Sequence, residues 1–238
     1  LVEAMMKEGL TQEQAVDRIF LFDSHGLVTK DREGLTPLKQ KFAHEQEPQS
    51  TFLDAIGEVK PTAIVGCAAQ AGSFNAYVLS AMARINERPI IFALSNPTSR
   101  SECTAREAYT YTEGKCLFAS GSPFPQVEVN GKTFIPRQSN NSYVFPGIGL
   151  GLVVSSPRIV PQSVFLSAAE ALSKIVSEDD LENGSLFPSL TKIREVSQSI
   201  AAAVAEQCFT AGVAGVPKPD DLSKAIQEAM YKPVYDRI

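Results

Sequence analysis

Three short apolar runs, each ending in a turn of small or polar residues, constrain the fold more than any other feature of the chain. They occupy residues 61–66, 90–94 and 116–122. Runs of this length are typical of strands buried within a sheet. Helix signals separate them: Thr104 and Glu107 match a capping box, and one helical face carries Phe74, Val78, Met82 and Ile85. Strands that alternate with helices at this spacing predict an open α/β fold with a parallel sheet.

The residues before this region predict part of one more repeat. A capping box at Thr11 predicts a short helix to about Arg18, and the apolar residues 19–22 predict a buried strand that ends at Asp23. In a dinucleotide-binding βαβ unit, an acid at this point accepts hydrogen bonds from the adenosine ribose, and the phosphate-binding glycine loop lies about 20 residues before it. That loop would precede Leu1. We therefore predict a Rossmann-like doubly wound parallel sheet that lacks its first strand.

The pattern becomes helical after Leu150. Apolar residues at helical spacing predict two helices, and a third is predicted over residues 220–230. In the first predicted helix this stripe of apolar residues is Val164, Ala168, Leu172 and Ile175, and in the second it is Ile193, Val196, Ile200, Val204 and Cys208. We place the domain boundary near Pro157, so that residues 1–157 form the dinucleotide-binding domain and residues 158–238 form a C-terminal helical segment.

Composition excludes several classes of function. The net charge is −5 and the basic residues form no stripe, so nucleic acid is not expected as a partner. No apolar run is long enough to span a membrane. The four cysteines are scattered without a CxxC pair, which argues against a metal cluster and favours reduced thiols inside a cell. We expect a cytoplasmic protein, with an organelle matrix as the alternative, because a transit peptide would precede Leu1.

Side-chain amides form a second group of candidate ligands. Asn140 and Asn141 stand just before an apolar run that bends at Pro146-Gly147, and Asn96 follows the predicted strand 90–94. Each could be a turn residue. Neutral amides can also hold a carboxylate by hydrogen bonds without adding charge. For Asn96 the position favours a ligand contact, because open α/β sheets bind ligands outside the carboxyl ends of their strands. For Asn140 and Asn141 both interpretations stay open on these grounds.

Seven ordered motifs resemble those of malic enzyme, the oxidative decarboxylase of malate. They are FDSHGL (22–27), KFAHE (41–45), IIFALSNPT (90–98), ECTA (102–105), YTEG (111–114), FASGSPF (118–124) and NNSYVFPG (140–147). The resemblance extends over essentially the whole chain, and the helical segment is its least distinctive part. It implies that the chain corresponds to the carboxyl-terminal part of such an enzyme, with most of its dinucleotide-binding domain.

The resemblance also implies a division of roles. The tyrosine and lysine for proton transfer and the acidic ligands of Mg²⁺ or Mn²⁺ are expected before Leu1. No catalytic and no metal-binding residue is therefore assigned to this chain, which alone is expected to be inactive. Asn96 and Asn141 resemble residues that contact malate, and Asn140 resembles one at the cofactor edge of the pocket. The complete homo-oligomeric enzyme, with the missing N-terminal part, would convert L-malate to pyruvate and CO₂ and reduce NADP.

The choice between NADP and NAD depends on Asp23 and Lys39. Asp23 is the expected ribose contact, and its charge would repel a 2′-phosphate. Lys39 occupies a position where NADP-using malic enzymes resemble one another in carrying a lysine, whereas NAD-preferring relatives carry an uncharged residue. Ser24 adds a hydroxyl and His25 a partial charge nearby. The number of charges around Asp23 decides nothing, so the prediction of NADP rests on Lys39 and the resemblance, with NAD as the alternative.

Two glycines, Gly66 and Gly72, bracket a turn that resembles a second cofactor-contacting segment of the family, although close helix–strand packing would require glycine equally well. Glu102, Tyr109 and Tyr111 are interpreted as helix-capping and half-buried aromatic residues, not as acid–base groups. Two other functions remain alternatives. One is a non-catalytic nucleotide-binding module or fragment, and the other is a different decarboxylating or amino-acid dehydrogenase with a similar cofactor domain.

Overall fold

The structure is a computed structural model that describes residues 1–232. It divides the chain into two compact units: residues 1–138 together with Asn183–Ser185, and the residues from 139 onward without that short segment. The division comes before the predicted boundary near Pro157. The reason is that the helix Phe145–Ser155 packs against helices that follow it in the chain.

Six α-helices and eight strands make up the described part of the first unit. The helices are α1 (Val2–Lys7), α2 (Gln12–Val16), α3 (Pro37–Lys41), α4 (Phe52–Val59), α5 (Ala76–Ile85) and α6 (Ala105–Tyr111). The strands are β1 (Phe22–Asp23), β2 (Gly26–Leu27), β3 (Ala63–Gly66), β4 (Ile90–Ala93), β5 (Leu117–Ser120), β6 (Val127–Val129), β7 (Lys132–Phe134) and β8 (Arg137–Gln138). A 3-10 helix, Thr98–Arg100, lies between β4 and α6.

Strands β3, β4, β5 and β8 form a parallel sheet in that order. The register pairs Ile64 with Ile91 and Ile91 with Phe118, and all three side chains are buried. Met82 of α5 and Tyr109 of α6 belong to the same core. Continuous apolar strands covered by helices therefore build this unit, and the predicted α/β class with a parallel sheet is confirmed.

Polar side chains start five of the six helices of the first unit, α2 to α6. Thr11 and Thr104 form capping boxes with Gln14 and Glu107, as predicted. Asn75 caps α5 by accepting hydrogen bonds from two backbone N–H groups of its first turn. These caps satisfy N–H groups that a first helical turn leaves without partners, so that even short helices begin at defined residues.

The strand predicted over residues 19–22 is wrong. Within residues 1–232, only Phe22 and Asp23 of this region are extended, as β1, and they pair antiparallel with β2 in a separate two-stranded sheet. Gly26 permits the reversal, because its φ is +101° and a Cβ there would lie 2.3 Å from the carbonyl oxygen of Gln49. The apolar run therefore leads into a tight hairpin, and Asp23 stands at its turn.

A second hairpin, formed by β6 and β7, was missing from the predicted fold. Asn130 and Gly131 connect the two strands, and their φ values of 52° and 74° are both left-handed. An Asn-Gly pair in this conformation is typical of the tight turn that matches the twist of two antiparallel strands. The signal was therefore present, but the flanking strands are only three residues long.

The second unit is helical. Its helices are α7 (Phe145–Ser155), α8 (Ser163–Ser173), α9 (Glu178–Glu182), α10 (Ile193–Thr210) and α11 (Leu222–Ala229), with 3-10 helices at Asn141–Tyr143 and Leu190–Lys192. The three predicted helices correspond to α8, α10 and α11. The predicted stripes lie in its core, with Ile175 and Ile193 only partly buried. Among residues 1–232, no helix combines the length and apolar character that crossing a bilayer requires.

Candidate functional site

The turns that follow β3, β4 and β5 lie at one edge of the sheet, because these strands are parallel. The turn 67–72 is joined to the turn after β4, since the backbone N–H of Ala69 donates to Ser95 Oγ at 2.9 Å. The turn after β5 packs directly against the turn after β4, because a Cβ at Gly121 would lie 2.1 Å from the carbonyl oxygen of Leu94. The three turns thus form one connected edge, at the place where open α/β sheets bind ligands.

Asn96 is exposed in the turn after β4. Its Oδ1 accepts a hydrogen bond from Ser122 Oγ at 2.6 Å, and its Nδ2 donates to the carbonyl oxygen of Leu94 at 3.3 Å. Ser122 is buried. Because the serine hydroxyl holds the carbonyl side of the amide, Nδ2 retains a second N–H donor that suits a carboxylate.

Gly66 and Gly72 have different structural reasons for being glycine. A Cβ at Gly66, the last residue of β3, would lie 2.4 Å from Cγ of Glu102, so internal packing requires glycine there. Gly72 has a φ of +72°, and among residues 1–232 no atom lies within 4 Å of a Cβ built on it. Of these two glycines, Gly72 alone combines a left-handed backbone with open space. The cofactor contacts of both residues stay predictions.

Asp23 is the centre of a charged group beside the β1–β2 hairpin. Arg32 Nη2 donates to both carboxylate oxygens at 3.1 Å, and Lys39 Nζ donates to Oδ2 at 2.5 Å. The backbone N–H of His25 donates to Oδ1 at 2.8 Å. Arg32 Nη1 also donates to the carbonyl oxygen of Gly26 at 3.2 Å, which ties the guanidinium to the hairpin. The structure therefore brings the predicted residues Asp23 and Lys39 together.

The electrostatics of this group favour an anion next to it. Burial raises the pKa of Asp23, but the hydrogen bonds from Lys39 and Arg32 outweigh burial and bring the pKa well below its ordinary value. One ionised carboxylate thus faces two cations, which leaves one net positive charge. The carboxylate already accepts four hydrogen bonds, as many as its lone pairs provide. A ribose hydroxyl would have to share an acceptor, whereas a phosphate would meet unbalanced positive charge.

Ser24 and His25 form the exposed turn beside this charged group. Ser24 Oγ lies 3.2 Å from His25 Nδ1, which in turn lies 3.8 Å from Asp23 Oδ1. The sequence predicted no role for Arg32, because a single arginine nine residues after an acid matches no motif. The chain reversal at Gly26 is what returns Arg32 to Asp23, and only an expectation of that hairpin could have revealed the pair.

Asn140 and Asn141 belong to the second unit. Asn140 Oδ1 accepts from the backbone N–H of Ser142 at 2.9 Å and caps the 3-10 helix Asn141–Tyr143. Asn141 is the first residue of that helix and its side chain is exposed. Capping thus explains Asn140 locally. The malate contact of Asn141 and the cofactor contact of Asn140 stay predictions.

The residues set aside as acid–base groups have environments that differ from the predicted ones. Glu107, not Glu102, is the helix-capping acid of α6, and Glu102 is buried with its carboxylate hydrogen-bonded to Ser95. Tyr109 is fully buried, and burial raises the pKa of its hydroxyl. Tyr111 is exposed. Neither tyrosine is half-buried, and the role of Glu102 requires a different explanation.

A parallel sheet with connected turns at its carboxyl edge is typical of dinucleotide-binding α/β domains, and the acid of the β1–β2 hairpin is of the type that such domains use to contact the ribose. Residues 1–209 match the family described as malic enzyme, NAD binding domain. The chain is 45% identical to the mitochondrial NAD-dependent malic enzyme of Ascaris suum over its whole length. It is 48% identical to the chloroplastic NADP-dependent malic enzyme of Zea mays over 94% of its length. The chain therefore belongs to the malic enzyme family.

This chain spans 37% of the Ascaris protein and 35% of the maize protein. Among solved structures, it superposes on malic enzyme from Entamoeba histolytica with a TM-score of 0.68 at 22% identity, covering 96% of this chain and 45% of that one. Malic enzyme from Pyrococcus horikoshii gives 0.63 at 23% identity, covering 85% and 42%. At such identities the likeness shows the fold. Because the relatives use either cofactor at similar identity and include mitochondrial and chloroplastic proteins, family membership fixes neither cofactor nor compartment.

Proposed function

We propose that this chain forms the dinucleotide-binding part of an NADP-dependent malic enzyme. The complete enzyme would oxidise L-malate to oxaloacetate, with loss of the C2 hydrogen as hydride and of the hydroxyl proton, and would then release CO₂ to give pyruvate. NADP⁺, when bound, would supply the hydride-accepting chemistry. The residues of this chain bind and orient the reactants. The observation that carries the proposal is the Asp23–Arg32–Lys39 group in a chain of this family.

The preference for NADP follows from the charge of this group. An unpaired acid at Asp23 would repel a 2′-phosphate, but Arg32 and Lys39 neutralise it and leave positive charge in excess. The Lys39 side chain is 38% exposed, so its ammonium can reach a ligand while remaining near Asp23. We therefore assign Asp23, Ser24 and Lys39 to the adenosine end of the cofactor.

Malate would be held by neutral amides. Ser122 fixes the amide of Asn96 so that an N–H donor is available to a carboxylate, and Asn141 is exposed for a second contact. Amides orient a carboxylate without the strong charge pairing that would oppose its loss as CO₂. Gly66, Gly72 and Asn140 are assigned to the cofactor.

Proton transfer and the divalent metal are assigned to residues outside this chain. Among residues 1–232, no three His, Cys, Asp or Glu side chains form a group that could hold a metal ion. We therefore expect no turnover when the purified chain is given malate, NADP⁺ and Mn²⁺. Formation of NADPH by this polypeptide alone would overturn that assignment. The missing N-terminal part and further copies of the enzyme are the expected partners, and the cytoplasm is the expected compartment.

The test of cofactor preference uses the complete enzyme that contains this chain. Lys39→Gln should lower kcat/KM for NADP by roughly 10- to 100-fold, because one charge-assisted hydrogen bond to the phosphate is lost. The kcat/KM for NAD should change by less than about twofold, since NAD lacks that phosphate. Lys41→Gln, a change of the same kind on an exposed residue of the same helix, is the matched control and should leave both values unchanged.

An unchanged ratio of the two kcat/KM values in Lys39→Gln would remove the assignment of NADP. A wild-type enzyme that already prefers NAD would do the same, and would place this chain with the NAD-dependent relatives. An enzyme that oxidises an amino acid in preference to malate would contradict the proposed reaction itself.

A further inference from the structure

Glu102 is a buried carboxylate held by neutral donors. The residue is 1% exposed and stands between the 3-10 helix Thr98–Arg100 and α6. Its Oε1 accepts a short hydrogen bond from Ser95 Oγ, and its Oε2 accepts from the backbone N–H of Ser95 at 3.3 Å. A buried carboxylate is costly unless such bonds satisfy it. Both oxygens of Glu102 are therefore committed to Ser95.

The network continues from Ser95 into the turn that follows β3. Ser95 Oγ accepts from the backbone N–H of Ala69 at 2.9 Å. The backbone around Glu102 adds two further attachments: the carbonyl of Glu102 accepts from Phe74 N at 3.0 Å, and that of Ser101 accepts from Gly72 N at 3.2 Å. The turn 67–72 is thus tied to the segment 95–102 at its middle and at its end.

Gly66 provides the space that the Glu102 side chain occupies. A Cβ on Gly66 would lie 2.4 Å from Cγ and 2.5 Å from Cδ of Glu102, so the carboxylate occupies the space that any other residue would fill. The Glu102 side chain therefore packs against Gly66, the last residue of β3, and reaches Ser95, which follows β4. These are the two strand ends that carry the candidate cofactor and substrate contacts, Gly72 and Asn96.

We propose that Glu102 is a positioning residue that acts through Ser95. It fixes the turn after β3, which approaches the dinucleotide, relative to the turn after β4, which carries Asn96. The inference rests on the proposed function, because that function makes these two turns the ligand-binding edge. An amide in place of the carboxylate would present an NH₂ group to the donors of Ser95, so that one of its two hydrogen bonds is lost and the turns shift.

The experiment measures equilibrium binding of NADPH to the complete enzyme by its fluorescence, at a temperature where every variant is folded by circular dichroism. Glu102→Gln should raise the dissociation constant about tenfold, as expected for one lost buried hydrogen bond. Ser95→Ala should raise it at least as much, because it removes the bonds of Ser95 Oγ to both Glu102 and Ala69. The double variant should bind NADPH no more weakly than Ser95→Ala alone, because the loss of Ser95 Oγ already breaks the side-chain connection to Glu102. Glu107→Gln is the matched control: it changes the exposed capping acid of α6 in the same way and should leave binding unaltered.

Two results would overturn the proposal. One is NADPH binding within about twofold of wild type by folded Glu102→Gln, which would leave the carboxylate a purely structural role. The other is a double variant whose loss equals the product of the two single losses, which would make Glu102 and Ser95 independent. If Glu102→Gln does not fold, the dissociation constant of Ser95→Ala decides alone. Wild-type enzyme that binds no NADPH would instead refute the proposed function, so the two failures are distinguishable.

Discussion

Helices α2 to α6 of the first unit start with polar side chains, whereas the three longest helices described in the second unit begin without them. Helix α1 has no such cap, and the shorter α11 is capped by Asp221. Thr11, Thr36, Thr51, Asn75 and Thr104 cap α2 to α6. In the described part of the second unit, α7, α8 and α10 have no side-chain cap hydrogen bond. Helices of five to ten residues are marginal by themselves, so the first unit depends on local polar contacts. The second unit depends on packing between helices.

Glycine shows the same contrast. In the first unit, Gly66 leaves room for the buried carboxylate of Glu102. In the second, Gly151 of α7 leaves room for the backbone of α10, because a Cβ there would lie 2.7 Å from the carbonyl oxygen of Ala201. One residue type thus serves a polar network in one unit and close helix packing in the other. We therefore expect the stability of the two units to respond differently to sequence changes and to pH.

The largest effect is expected from Gly151→Ala. The added methyl meets the backbone of α10, which cannot rotate away as a side chain can, so the free energy of unfolding of this unit should fall by about 3 kcal/mol. Gly149→Ala is the matched control on the same helix, because among residues 1–232 no atom beyond its chain neighbours and its own helix backbone lies within 4 Å of its Cβ position. It should stabilise by about 0.5–1 kcal/mol through helix propensity. Equal effects in thermal or urea unfolding would refute the packing account.

A smaller effect is expected from Asp23→Asn, and it should depend on pH. The pKa of Asp23 is lowered in the folded protein, so the unfolded chain binds more protons between the two pKa values. The stabilisation is therefore present above the unfolded pKa of about 4 and is lost as the pH falls towards the folded value. At pH 7 the variant should be less stable by about 1–2 kcal/mol, after allowance for solvent screening.

The measurement is the free energy of unfolding of wild type and Asp23→Asn from pH 7 to pH 3. The difference between them should shrink as the pH falls below about 4. Gly151→Ala serves as the reference, since its effect comes from packing and should stay constant over the same range. A constant difference for Asp23→Asn would contradict the assignment of an ion-paired carboxylate.

The smallest effect is expected from Thr104→Ala. Loss of the side-chain oxygen removes the capping box of α6 and should cost about 1 kcal/mol. Thr110→Ala, an exposed change within the same helix, should alter stability by less than about 0.5 kcal/mol. Equal free energies of unfolding for Thr104→Ala and Thr110→Ala in urea would contradict the claim that polar caps stabilise the helices of the first unit.

Local signals made much of the first unit predictable. The strands β3, β4 and β5 and the capping boxes at Thr11 and Thr104 appear where short apolar runs and paired cap residues predict them. The strand prediction at residues 19–22 was wrong for a physical reason. An apolar run does not reveal which backbone will pair with it, and here Gly26 turns the chain back on itself.

The candidate site was less predictable, because its partners are distant in sequence. The position of Asp23 relative to an apolar run marked it as a ligand contact, but its pairing with Arg32 and Lys39 depends on the hairpin and on α3. Glu102 stands two residues before a capping box, which favoured a capping role. Its actual partners, Ser95 and Gly66, lie on two other strand ends. Such contacts follow from topology, which spacing alone does not specify.

The most direct test of the central claim, that Arg32 and Lys39, held in place by Asp23, bind the 2′-phosphate of NADP, is competitive inhibition of the complete enzyme by adenosine 2′,5′-bisphosphate and by AMP. These ligands differ in carrying or lacking the 2′-phosphate. We expect the bisphosphate to inhibit at least about tenfold more strongly than AMP in the wild type, with the two inhibition constants becoming nearly equal in Lys39→Gln. Equal inhibition constants in the wild type, or a preference that survives in Lys39→Gln, would contradict the account.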